Sequence, residues 1–155
     1  MTNLVVGEAA LPFSLQLASG GTDTHAAHAG RKLVLFFYPK ANTPGCTREA
    51  IEFSAAKADF AAAGTDLLGI SADSIAKQQK FIAKQSLTTP VASDETLEML
   101  TAYGVWKQKS MYGVNFMGIE RTTVLIDKHG VIAHVWPKVK VADHVAEVLA
   151  AARAL

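Results

Sequence analysis

The order of apolar runs along the chain predicts an α/β fold: a mixed central sheet with helices on both faces and a β-hairpin at the N-terminal end. Three observations carry that prediction. Residues 32–38 form a continuous apolar run rich in aromatics, as expected of a strand buried on both faces. Runs of that kind alternate with stretches whose apolar residues recur every three or four positions, the pattern of strands joined by helices. Near the C-terminal end two β-rich runs, Thr122–Ile126 and 131–135, flank Asp127-Lys128-His129-Gly130. That turn sequence joins antiparallel strands and so makes the sheet mixed.

Taken in order, residues 11–17 alternate apolar and polar side chains around Pro12, which reads as an edge strand. Ala18-Ser19-Gly20-Gly21 is a turn, after which a second short strand closes the N-terminal hairpin. Pro39 ends the buried run, and 41–45 is a loop. Over 46–63, Ala50, Phe53, Lys57 and Phe60 recur at helical spacing, and Gly64 stands where a glycine closes a helix. Residues 67–71 form a second buried strand, and Asp73 or Ser74 can cap a helix over Ile75–Gln85. Residues 90–93 read as a short strand and 95–103 as a short helix ending at Gly104. Weak periodicity makes 105–121 a long connection, of a kind that often carries function. An Ala-rich amphipathic helix over 141–155 closes the chain. This succession fits the thioredoxin-like arrangement, with residues 1–155 as one domain.

Composition narrows the function classes. Fifteen Lys and Arg stand against fourteen Asp and Glu, which argues against a nucleic-acid binder. The longest strongly apolar run, 33–38, is too short to span a bilayer, and the first 17 residues lack the features of a signal peptide. A chain of this length buries roughly 70% of its unfolded surface and needs no disulfide or metal to fold. One cysteine rules out an intrachain disulfide, so the expectation is a cytoplasmic protein with no metal and no cofactor.

Chemistry concentrates at that cysteine, Cys46. With Thr43 as the N-cap, Pro44 takes the first helical position and Cys46 the third. The Thr43 side chain is then placed to accept a bond from the Cys46 N–H. The sulfur lies at the positive end of the helix, and the thiolate, which is the nucleophile, is favoured there and by any nearby guanidinium. Free cysteines are often inert buried hydrophobes; Thr, Pro, Gly and Thr at a helix start point instead to reactivity. His25 and His28 have a metal-binding spacing, but without a second cysteine or carboxylate pair they read as an exposed loop. His129, His134 and His144 fall on separate elements, so no motif supplies a histidine base for Cys46. Gly20-Gly21 is too short for a phosphate loop. Trp106, Met111, Tyr112, Phe116 and Met117 read as core, or alternatively as an apolar wall beside the pocket.

The segment from Pro39 to Cys46 follows the pattern P-x-x-x-T-x-x-C, and YPKANTPGCTREA over 38–50 resembles the peroxiredoxin Q, or bacterioferritin comigratory protein, branch of the peroxiredoxins. GISAD at 69–73, FIAKQ at 81–85, YGVW at 103–106 and RTTVLID at 121–127 extend the resemblance over nearly the whole chain. It implies a peroxidase acting on hydrogen peroxide and organic hydroperoxides, with Cys46 as the peroxidatic cysteine. By the same resemblance Thr43 hydrogen-bonds the peroxide, Pro39 limits water, and Pro44 and Gly45 bind substrate. The N–H groups of Gly45 and Cys46 receive the developing charge. Arg121 stabilises thiolate and transition state, and Glu49 orients the arginine. The branch often has a resolving cysteine at one of two places, which here hold Ile51 and Ile82. The expected reductant is therefore an external thiol, glutathione with glutaredoxin or thioredoxin, and the expected assembly a monomer or weak homodimer. A thioredoxin-fold binding protein in which Cys46 is a redox sensor, or inert, is the alternative. A dithiol exchanger is excluded, since it needs Cys-x-x-Cys.

Overall fold

The computed structural model describes residues 4–155. Its strands are β1 (Ser14–Leu17), β2 (Thr22–Thr24), β3 (Lys32–Phe37), β4 (Thr65–Ser71), β5 (Val91–Ser93), β6 (Trp106–Met111), β7 (Val114–Ile119), β8 (Thr122–Ile126) and β9 (Ile132–Trp136). Its α-helices are α1 (Pro44–Ala62), α2 (Ile75–Gln85), α3 (Glu98–Ala102) and α4 (His144–Ala154), with a 3₁₀ turn at His25–His28. Seven strands form one sheet in the order β2-β1-β5-β4-β3-β8-β9. β3, β4 and β5 run parallel, while β1, β8 and β9 join antiparallel, so the sheet is mixed as expected.

The period of two along β3 divides the core. Val34, Phe36 and Tyr38 face one layer, packed by Phe53 and Phe60 of α1, Phe81 of α2 and Val145 and Val148 of α4. Leu33, Leu35 and Phe37 face the other, covered by Met99 and Leu100 of α3 and by the segment holding Leu4, Ala10 and Phe13. Helices thus lie on both faces, three on the side of Cys46 and one short helix on the other. Gly69 in β4 lets the Phe36 ring lie against the strand: a Cβ there would lie 2.6 Å from Cζ of Phe36. Gly64 follows α1 with φ +68°, the left-handed conformation of a glycine closing a helix.

Several expectations need correction. β1 is no edge strand, because it pairs with β2 on one side and β5 on the other. Its alternation reports one exposed face, and Pro12 precedes the strand. Residues 105–121 are not an irregular connection but a hairpin, β6 against β7 in a separate two-stranded sheet. Tyr112 and Gly113 turn it with φ of +52° and +77°, both positive as in a type I′ turn. Of the five side chains read as core, Met111, Tyr112, Phe116 and Met117 on this hairpin are exposed, while Trp106 is half-buried against the core. The short helix begins at Glu98, and the last helix at His144, after Asp143.

A further correction concerns His28, which is half-buried and clamped rather than in an open loop. Its Nε2 meets Asp23 at 2.8 Å and its Nδ1 meets Asp66 at 2.8 Å, while Arg31 donates to the other Asp66 oxygen at 2.9 Å. Burial disfavours the imidazolium, but the bonds and charges of Asp66 and Asp23 prevail and hold its pKa above the usual value. Burial likewise raises Asp66, yet the bonds to His28 and Arg31 prevail and bring it below the carboxylate range. A raised histidine gives its stability fully below about pH 6.5 and loses it as pH rises through the folded value. A lowered aspartate gives its stability above about pH 4 and loses it as pH falls through the folded value. The clamp is therefore strongest between the two. His28→Ala is expected to lower the melting temperature by a few degrees near pH 5.5 and by less near pH 8.5. An equal loss at both values in thermal melts would remove the ionic explanation.

Candidate active site

The site is built where β3 hands over to α1. Tyr38 is buried at the strand end and Pro39 is half-buried. The Ala41 N–H then donates to Oδ2 of Asp73 at 2.8 Å. Asn42 turns the chain in the left-handed region, φ +63°, a conformation asparagine tolerates better than most residues. That turn brings the Lys40 carbonyl within reach of the Thr43 hydroxyl, which donates to it at 2.7 Å. Thr43 is the N-cap in an extended conformation, and Pro44 opens the helix, as expected. Its side chain, however, makes no cap bond, so the expected bond from the Cys46 N–H to Thr43 is not formed. The helical ladder starts with the Thr47 N–H donating to the Thr43 carbonyl at 2.8 Å. The amides of Gly45 and Cys46 come before it, at the open positive end of α1.

Arg121, between β7 and β8, reaches this helix end. Its Nη2 donates to Sγ of Cys46 at 3.2 Å and its Nη1 to Oε1 of Glu49 at 2.8 Å. One guanidinium fork therefore bridges sulfur and carboxylate, a geometry that the single ammonium of lysine does not reproduce. Gly45 makes room for it, since a Cβ there would lie 3.2 Å from Nη2. Val139 donates its N–H to the Arg121 carbonyl at 2.9 Å and so fixes the backbone behind the side chain. Cys46 is 1% exposed and Glu49 is fully buried, with its Oε2 lacking a hydrogen-bond partner. Burial pushes the Glu49 carboxyl up to about 7 against the pull of Arg121. Burial opposes the Arg121 charge as well, but Glu49 and Cys46 outweigh it and raise its pKa.

Cys46, Glu49, Arg121 and Gly45 are thus brought into one cluster, with Thr43 and Pro44 on the turn that leads into it. Residues 6–135 match the AhpC/TSA family. The chain belongs to that family. It is 46% identical to Peroxiredoxin Bcp of Xanthomonas campestris over 156 residues, covering 99% of this chain and 98% of that one. It is 42% identical to Peroxiredoxin Bcp of Bacillus subtilis, covering 93% and 92%. Among solved structures, Peroxiredoxin Q of Xanthomonas campestris superposes with a TM-score of 0.87 at 42% identity, covering 99% and 97%. A cysteine-to-serine mutant of PrxQ from Xylella fastidiosa superposes with a TM-score of 0.93 at 36% identity, covering 98% and 97%. The resemblance to the peroxiredoxin Q branch is borne out, and so is the thioredoxin-like fold.

In this AhpC/TSA chain Ile51 is 42% exposed on α1 and Ile82 is half-buried on α2. Two further parts of the surroundings bear on the site. Pro39 lines a groove of about 680 Å³ together with Trp106, Met111, Phe116 and Met117, so the alternative reading of these side chains as an apolar wall holds, with Trp106 also packed against the core. Behind the loop, Asp73 belongs to a buried chain of hydrogen bonds through Ser71 and Gln78 to Tyr38; sequence spacing suggested it only as a helix cap. His144 is buried with its Nε2 2.8 Å from Oγ1 of Thr123, its ring edge-on to Phe53 and Trp136. Burial pushes its pKa down; Glu147 opposes the shift and Arg121 adds to it. No helix of the described residues is long and apolar enough to cross a membrane, and none of their side chains form a group of three able to hold a metal.

Proposed function

We propose that this AhpC/TSA family member is a thiol-dependent peroxidase that works through Cys46 alone and is restored by an external thiol. The observation that carries the reading is the Arg121 fork, which holds one nitrogen 3.2 Å from a buried sulfur and the other on a buried carboxylate. A cation fixed in that position favours the thiolate and is already aimed at the charge that develops during attack. The sulfur attacks the nearer peroxide oxygen, the O–O bond breaks, and Cys46 becomes a sulfenic acid. The second oxygen takes a proton and leaves as water or alcohol. The Thr43 hydroxyl donates its hydrogen bond to the Lys40 carbonyl, which leaves the hydroxyl lone pairs for the peroxide O–H. The Gly45 and Cys46 amides sit where the oxygens carry charge, Pro44 presents that helix end, and Pro39 shields it from water.

With Ile51 and Ile82 at the resolving positions, reduction falls to a thiol that attacks the oxidised sulfur and displaces water, and a second thiol releases the mixed disulfide. Glutathione with glutaredoxin, or thioredoxin, fits that step, in a cytoplasmic monomer or weak homodimer. The test is stoichiometric. One equivalent of hydrogen peroxide is expected to abolish the single titratable thiol and add one oxygen atom to the intact mass. Glutathione or dithiothreitol then restores the thiol, and repeated additions give turnover. A thiol that survives the peroxide, or a sulfenic acid that no thiol reduces, would overturn the proposal.

A further inference from the structure

Both half-reactions of the proposed cycle meet the same obstacle, a sulfur that is 1% exposed. A peroxide brings two heavy atoms to it. A reducing thiol must bring its own sulfur to within about 2 Å of the Cys46 sulfur, with a carbon chain behind it. The loop and first turn that hold Cys46 must therefore be seated for the first step and lifted for the second. Arg121 holds the first turn at Cys46, and what seats the loop ahead of it is legible in the hydrogen bonds. From Pro39 to Gly45, among the described residues, the bond that ties the loop to another element is the Ala41 N–H to Oδ2 of Asp73 at 2.8 Å. The Thr43 to Lys40 bond lies within the loop and moves with it.

We infer that Asp73 is a positioning residue that latches the Cys46 loop, favouring oxidation by peroxide and restraining reduction by thiol. The inference rests on the external-thiol reading above. Asp73 is held to the task by a buried relay. Tyr38 donates to Oε1 of Gln78 at 2.6 Å, and Nε2 of Gln78 donates to the Ala92 carbonyl and to Oγ of Ser71, both at 2.9 Å. Oγ of Ser71 also accepts from the Asp73 N–H at 3.2 Å, so its own proton is directed to Oδ2 of Asp73 at 2.7 Å. Each member has its partner in this arrangement, which holds Oδ2 under the Ala41 amide. Tyr38 follows β3 in the same packed layer as Cys46, so the relay starts from the layer that holds the sulfur. Removing the acceptor shifts the loop toward its lifted form and moves the two steps in opposite directions.

The experiment measures the two steps separately, in single turnovers, for wild type, Asp73→Ala, Asp73→Asn and Ser71→Ala. Asp73→Ala is expected to oxidise about tenfold more slowly with hydrogen peroxide and to regain its thiol about threefold faster with dithiothreitol. Hydrogen exchange over residues 39–48 is expected to quicken. Asp73→Asn keeps an oxygen acceptor and is expected to stay within about twofold of wild type in both steps. Ser71→Ala removes only the support and shifts both steps in the Asp73→Ala direction by less; it carries the test if Asp73→Ala does not fold. Rates that fall together, or that do not move, overturn the latch while leaving the peroxidase intact. So does an Asp73→Asn variant that behaves like Asp73→Ala. A wild type that is not oxidised, or not restored by thiol, instead overturns the peroxidase reading itself.

Discussion

Cys46→Ser is expected to reduce peroxide consumption to the background rate of the reductant alone. The chain has one cysteine, so no neighbouring thiol can substitute for it. A serine hydroxyl is not ionised at neutral pH and lacks the nucleophilicity of a thiolate. The change is close to isosteric in a site that is already polar on one side, since Arg121 donates there and Glu49 still holds the guanidinium. Melting temperature is therefore expected to stay within a few degrees of wild type, which separates loss of chemistry from loss of fold. A coupled peroxide assay with dithiothreitol, run beside thermal melts, checks both. A serine variant with wild-type turnover would place the chemistry elsewhere in the chain.

The parts of the fold legible in the sequence are those whose pattern one buried surface dictates. The run over 32–38 is apolar at every position but one because β3 is covered on both faces. The Asp127 to Gly130 turn announces itself because Oδ1 of Asp127 binds the N–H groups of His129 and Val131, a role few side chains can fill. β6 and β7 escape notice for the converse reason. They form a pair outside the main sheet, with β7 exposed from Val114 to Met117, so no buried face imposes alternation. Their turn also uses Tyr112 where asparagine would have given the usual signal. At the site, the helix start at Pro44 follows from local chemistry, but the direction of the Thr43 hydroxyl does not. It depends on the left-handed Asn42 beside it. Arg121 lies 75 residues from Cys46 and Glu49 lies 72 from Arg121, distances over which spacing says nothing. Their conjunction was expected from the motif resemblance alone. Asp73 is subtler still, because its acceptor role is fixed by an amide 32 residues away.

Arg121→Met is expected to slow oxidation of Cys46 by at least about 100-fold, the size of effect seen when one preorganised donor is removed from a site of developing charge. Arg121→Lys is expected to recover little of it. One ammonium does not reach the sulfur and the carboxylate in the parallel geometry that the guanidinium provides. The same substitution isolates Glu49, whose Oε1 loses the donor at 2.8 Å and whose Oε2 has none. The carboxyl, already pushed up to about 7 by burial, moves higher without the cation. An acid whose folded pKa lies above its unfolded value binds more protons when folded. Stability therefore falls as pH rises from about 4.3 through the folded value. The Arg121→Met variant is expected to hold its proton on Glu49 and stay folded near pH 6. Its deficit in melting temperature against wild type should grow toward pH 9, where the carboxyl must ionise without a partner. Glu49→Gln leaves nothing to ionise, so added to Arg121→Met it is expected to remove the growth of that deficit without restoring the rate. Oxidation within threefold of wild type in Arg121→Met would show that the guanidinium does not prepare the sulfur. A deficit independent of pH would show that the fork does not set the charge on Glu49.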